Sequence, residues 1–158
     1  MRSNSFILII EHEERGFAMI YTVIMTLLVF LALIYSTAKD IHYHEIPIEL
    51  FLFLVVPLGV FGQILQVGPG LFEVIAMTLI TALCYLILAC FFGGGGGDMI
   101  MMTALAACLG NGIIIVMAVA TILLILYRVV GGQEPKAPIP YAPFVIVGFV
   151  IERMIYFK

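Results

Sequence analysis

Gly93-Gly94-Gly95-Gly96-Gly97-Asp98 places five glycines directly before a single aspartate, between two long apolar runs. No charged residue lies between Glu73 and Asp98, and none between Asp98 and Arg128. A charged side chain at the centre of a bilayer costs at least ~2.5–3.5 kcal/mol on insertion scales. Glycine also gives up more conformational freedom on folding than any other residue. Two costs falling at one point mark a break between helices and a candidate functional site.

Composition fixes the class around that site. The chain has 158 residues, 64% hydrophobic and 11% charged, with a mean hydropathy of +1.23. A soluble domain is roughly 45–50% apolar and about a quarter charged, so an integral membrane protein is predicted. A net charge of −3 and scattered Lys and Arg argue against nucleic acid as a partner and against a basic membrane-surface patch. Cys84, Cys90 and Cys108 sit inside apolar runs without a C-x-x-C pair, and read as small buried residues rather than zinc or redox ligands. With no tryptophan, the interfacial belt must rely on tyrosine and phenylalanine.

Working outward from the glycines gives an all-α fold with about six transmembrane helices. Residues 17–38 are uncharged for 22 positions, enough to cross a ~30 Å hydrocarbon core. That first helix is expected to end at Lys39-Asp40. Pro47 suits the first turn of a second helix, whose apolar body runs from Leu50 to Leu65 and whose Pro57 predicts a kink. Gly68-Pro69-Gly70 turns the chain into a third helix over 71–92, with Glu73 in its favoured first turn. Residues 99–127 are uncharged for 29 positions, too long for one straight span and too short for two. Gly110-Asn111-Gly112 divides them into a short helix over 98–109 and a longer one over 113–130. A polar loop from Gly131 to Lys136 and the prolines at 138, 140 and 143 lead to a last helix ending near Tyr156. Residues 1–16 read as an N-terminal extension at the membrane surface, or as sequence upstream of a start at Met19; 17–158 form the membrane-embedded domain. The Lys and Arg residues divide three to four between the two faces, so charge alone leaves the orientation open.

Alternation puts Asp40 and Asp98 on the same side of the membrane. Two neighbouring carboxylates can share one proton, the ionised member activating a water while the protonated member polarises a carbonyl. Each acid also has a plain structural reading: Asp98 as an N-cap, Asp40 as an interfacial charge paired with Lys39. Five glycines exceed what a capping turn needs.

Three motifs occur in order at the helix junctions: Asp40 with Ile46-Pro47, Gly95-x-Gly97-Asp98, and Ile139-Pro140-Tyr141-Ala142-Pro143-Phe144. Together they resemble the type IV prepilin peptidases, membrane aspartic proteases of the G-x-G-D type, over essentially the whole six-helix region. The resemblance implies Asp40 and Asp98 as the catalytic pair and Gly95 and Gly97 as the flexible segment. Pro47, Pro140, Tyr141 and Pro143 would support the site. It also implies prepilin-like proteins as substrates, cut after a glycine and before an apolar helix, at the cytoplasmic face of the cytoplasmic (inner) membrane. No metal or organic cofactor is implied. Ile48 stands where the family has Asn, and Ile100 where it has Lys, which should alter the hydrogen bonding and proton affinity of the pair. No C-x-x-C segment is present, so the outline is that of the short, peptidase-only form found with tight-adherence pili and of archaeal preflagellin peptidases. Arg15-Gly16-Phe17 itself has the form of a pilin-precursor cleavage point. His42 and His44 read as interfacial, and Glu45 and Glu49 as possible contacts for a basic leader.

The principal alternative is a small membrane transporter or channel component using Asp40 and Asp98 as ion or proton sites, since glycine-broken helices and intramembrane acids recur there. An inactive pilus-assembly scaffold is a third reading. The glycine surplus further predicts that the loop moves and that Asp98 reaches Asp40 only when substrate binds. The precursor cleaved and the oligomeric state are left open.

Overall fold

The structure, a computed structural model, describes residues 3–92, 95–131 and 139–156, with side chains described over 16–88, 95–131 and 139–156. All regular elements among them are helical. They are α1 (Ser3–Tyr43), α2 (Ile48–Ile64, with a π-helical turn at Phe51–Val55), α3 (Leu71–Phe92), α4 (Gly96–Leu109), α5 (Ile113–Gly131) and α6 (Ala142–Tyr156). By length and composition, three stretches can cross a membrane: Gly16–Tyr43, Leu71–Leu88 and Gly96–Gly131, the last containing the α4–α5 junction. Ile48–Ile64 is a shorter apolar helix. The chain is thus an all-α membrane protein.

The first helix is longer than the uncharged run. It starts at Ser3 and continues through Gly16 to Tyr43, because one glycine does not end a helix that has good helix formers on both sides. Asp40 therefore lies in its last turn, three residues before its end. His44 closes this helix in the left-handed conformation (φ 53°), its N–H donating to the Asp40 carbonyl at 3.0 Å. Pro57 does not interrupt α2. The π-helical turn just before it, marked by the Val56 N–H donating to the Phe51 carbonyl, re-registers the ladder around the missing proline donor. Gln66 (φ 55°) then ends α2 in a Schellman arrangement, with Val67 N–H on Gly62 O and Gln66 N–H on Gln63 O. The polar loop around residues 132–138, Gly93, Gly94 and the side chain of Cys90 lie outside the described residues.

α4 is the central element. Met101, Met102, Ala104, Leu105, Ala106, Cys108 and Leu109 are buried around its circumference, which is what an all-round apolar helix requires. α3 and α2 pack on it, and α6 packs on α5 and α1. Small residues set the closest approaches: a Cβ at Gly59 would lie 2.6 Å from the Ala107 carbonyl oxygen, and one at Gly148 2.7 Å from that of Val116. This is how membrane helices gain contact where apolar burial against lipid drives little. The core between α1, α2, α4 and α6 is closed by Val29, Leu33, Phe51, Val55, Val145 and Phe149. Large apolar side chains such as Phe53, Phe72, Leu79 and Val129 point outward instead.

Candidate active site

The last turn of α1 brings Asp40 beneath the start of α6. Asp40 is 6% exposed, and its Oδ2 accepts the backbone N–H of Ala142 at 2.8 Å. That N–H is the first of α6, one of the four that a helix cannot satisfy internally. Asp40 thereby caps a helix 102 residues away in sequence. Pairing with Lys39 does not occur; the Lys39 ammonium lies 5.9 Å from the centre of the Tyr35 ring.

Asp98 is held at a second helix N-terminus, its own. Gly95, in extended conformation (φ −72°, ψ 139°), is the N-cap of α4, so Asp98 is the third residue of the helix and not its cap. Its carboxylate reaches back to the Gly95 N–H, as the acid of a capping box does. The helix starts two residues earlier than charge patterning indicates, because Gly96 and Gly97 take helical conformation once that bond is made.

Asp40 and Asp98 lie toward the same end of the bundle, Asp40 within electrostatic reach of Asp98. Gly97 fixes the approach. A Cβ there would lie 3.0 Å from Ile46 Cβ, so α4 sits directly against the loop that follows Asp40. At Gly95 a Cβ would meet only Asp98 Oδ2, at an ordinary 3.5 Å. The tight packing requirement belongs to Gly97 alone.

The late proline motif supplies the opposite wall. Ile139 and Pro140 lead in half-buried, Tyr141 is buried, Ala142 opens α6, and Pro143 occupies its second position, where a missing N–H is no loss. The Tyr141 hydroxyl lies 2.6 Å from that of Tyr85 on α3 and also bonds Thr121 on α5. Burial pushes the Tyr141 phenol above its ordinary range. Pro47 is the N-cap position of α2, half-buried beside Ile46.

Asp40, Asp98, Gly95, Gly97 and Tyr141 are therefore gathered at one end of the bundle, with Pro47, Pro140 and Pro143 shaping the junctions around them. His42, His44, Glu45 and Glu49 are exposed near the same end. Ile48 and Ile100 are both half-buried, so neither offers a polar group to the site. Sequence reasoning missed two participants. Tyr85 carries no motif and lies mid-helix in an apolar run. The Ala142 N–H is backbone, invisible to any reading of side chains.

Comparison with family models, with curated proteins and with solved structures gives no match to this chain.

Proposed function

We propose that this protein is a membrane aspartic endopeptidase that removes the leader peptide of type IV prepilin-like proteins, with Asp40 and Asp98 as its catalytic pair. The observation that carries the reading is that these two acids, from α1 and α4, lie within electrostatic reach of each other at one end of the bundle. In such a pair one carboxyl is ionised and the other protonated. The ionised carboxylate takes a proton from water as the water oxygen bonds to the scissile carbonyl carbon. The protonated carboxyl gives its proton to the carbonyl oxygen, producing a gem-diol. Collapse of that intermediate breaks the C–N bond, and a carboxyl proton passes to the leaving amine.

Each carboxylate has a backbone donor that holds it in place, Ala142 N–H for Asp40 and Gly95 N–H for Asp98. Gly95 and Gly97 leave the approach free of side chains, so an extended substrate backbone can come close. In this reading six helices alternate across the cytoplasmic membrane, the pair faces the cytoplasm, and the substrate's apolar helix lies in the bilayer with its scissile glycine at the surface. Between the aspartates and the far end of the bundle, Met101, Met102, Leu105 and Ile113 are fully buried.

Reconstitution tests the choice. Purified protein in liposomes, given a prepilin-like precursor, is expected to yield the shortened chain without proton or sodium flux. Flux that depends on Asp98, with the precursor left whole, would replace the peptidase with a transporter.

A further inference from the structure

The end of the bundle opposite Asp40 carries a second polar cluster that the peptidase reading does not use. From Asp98 to Gly110 is about 18 Å of helical rise, and there a cavity of about 340 Å³ opens between α1, α2, α4 and α6. Its size falls in the range of about 300–1,000 Å³ that ligand sites occupy. Its polar wall is built from both signs of charge. Glu73 uses Oε1 to accept the Asn111 N–H at 2.7 Å, which leaves Oε2 for another donor. Glu152, 1% exposed, takes Nε and Nη2 of Arg153, the second contact at 2.7 Å. A guanidinium has five N–H donors in a fork suited to phosphate, so Arg153 keeps donors beyond that pair. Gln63 donates to the Pro69 carbonyl at 2.6 Å and retains its own carbonyl oxygen.

Two carboxylates against one guanidinium leave this cavity an excess negative charge, which favours a ligand carrying an ammonium. No three His, Cys, Asp or Glu side chains are grouped to hold a metal ion among the described residues. The second feature lies alongside. A groove of about 360 Å³ with an apolar wall, formed by Val60, Val74, Ile75 and Leu79, shares Gly59 and Gln63 with the polar cavity. It lies between α2 and α3, both of which pack on α4. A chamber with charged groups set in a largely apolar wall, joined to an apolar groove, matches an amphipathic molecule rather than a soluble one.

We propose that cavity and groove together bind one phospholipid with a primary-amine headgroup. Its ammonium bonds Glu73, its phosphate bonds Arg153, and one acyl chain lies in the groove between α2 and α3. A primary ammonium donates hydrogen bonds to a carboxylate, a quaternary one does not, and a glycerol headgroup brings no cation. The site therefore selects phosphatidylethanolamine over phosphatidylcholine and phosphatidylglycerol, on the membrane face away from the aspartate pair.

The test is native mass spectrometry of the full-length protein titrated with each of these three lipids and with soluble phosphoethanolamine. Charged hydrogen bonds of this kind are worth about tenfold in occupancy, so phosphatidylethanolamine should be retained about tenfold over the other two. Glu73→Gln, which keeps an acceptor for Asn111, should remove that preference while leaving the protein folded. Ile75→Trp, which fills the groove from an exposed position, should reduce retention of all three lipids. Equal retention of the three lipids by the unmodified protein, or an unchanged preference in Glu73→Gln, would overturn the proposal. So would soluble phosphoethanolamine competing as well as the lipid, since the groove would then contribute nothing.

Discussion

Asp40 Oδ2 and the Ala142 N–H are joined at 2.8 Å, so one carboxylate ties the end of α1 to the start of α6. This bond gives the late Ile-Pro-Tyr-Ala-Pro-Phe motif a physical task. Its prolines bring the chain into α6 so that the first N–H of the helix faces the candidate catalytic acid. Asp40 thus makes a structural bond beside its proposed chemical role, and the two can be separated by substitution.

Asp40→Ala removes the cap as well as the acid, and should lower stability by about 0.5–2 kcal/mol, the usual cost of losing a cap. Asp40→Asn keeps an oxygen acceptor for Ala142 N–H and should remain within a few tenths of wild type, because Asn caps about as well as Asp. Thermal unfolding in detergent reads the difference. Equal losses in the two variants would show that the bond to Ala142 contributes nothing to the fold.

Gly97 and Gly95 should respond differently to alanine. Gly97→Ala drives a Cβ to 3.0 Å from Ile46 Cβ and must push α4 away from the loop that follows Asp40. Overpacking of this sort typically costs about 1–3 kcal/mol, and here it displaces Asp98, so activity should fall further than stability. Gly95→Ala meets an ordinary contact at a permitted φ and should retain most of its activity. Adding Ile46→Gly, which removes the opposing Cβ, to Gly97→Ala should restore activity in part, which a double-mutant cycle would measure as coupling.

Tyr85→Phe removes one half of the hydroxyl pair with Tyr141 and leaves Tyr141 with Thr121. The expected cost is about 0.5–1.5 kcal/mol, the net value of one hydrogen bond. Tyr141→Phe leaves the buried Tyr85 hydroxyl without this partner and also removes the Tyr141 hydroxyl from Thr121, so it should cost more. Chemical denaturation of the two variants orders them; the reverse order would mean that Tyr85, and not Tyr141, is the hub.

Gly59→Leu tests the central packing. Its Cβ would lie 2.6 Å from a backbone oxygen, Ala107 O, which cannot rotate away. α2 must then separate from α4, with a loss of several kcal/mol by the same overpacking argument. Because α2 follows the Ile46-Pro47 loop, activity should fall together with stability.

Much of this organisation is legible in the residues. Glycine and proline mark the ends of α3, α4 and α5 because those breaks need backbone freedom or a lost donor, and both properties belong to single residue types. The placement of Asp40 and Asp98 toward one end of the bundle follows from alternation of helices alone. What escaped is of three kinds. The extension of α1 to Ser3 depends on helix formers that carry an uncharacteristic charge pattern, Glu11 to Arg15, which reads as a collar. The π-helical turn at Phe51–Val55 compensates Pro57 through backbone registry, which leaves no trace in side-chain type. The Tyr85–Tyr141 contact joins residues 56 apart through helix packing, and a tyrosine within an apolar run gives no sign of its partner. Of the five glycines on which the expected loop motion rests, Gly93 and Gly94 lie outside the described residues, Gly95 caps α4, and Gly96 and Gly97 belong to the helix rather than to a loop.

The central claim is tested most directly by leader removal itself. A prepilin-like precursor is incubated with wild type, Asp40→Asn and Asp98→Asn in liposomes, and the products are sized by mass spectrometry, with unfolding curves confirming that all three proteins are folded. The account predicts a single cut after the leader glycine by wild type. Each variant should lose a factor of at least about 10²–10⁴, the scale of one general acid or base. Undiminished cleavage by either folded variant would contradict it.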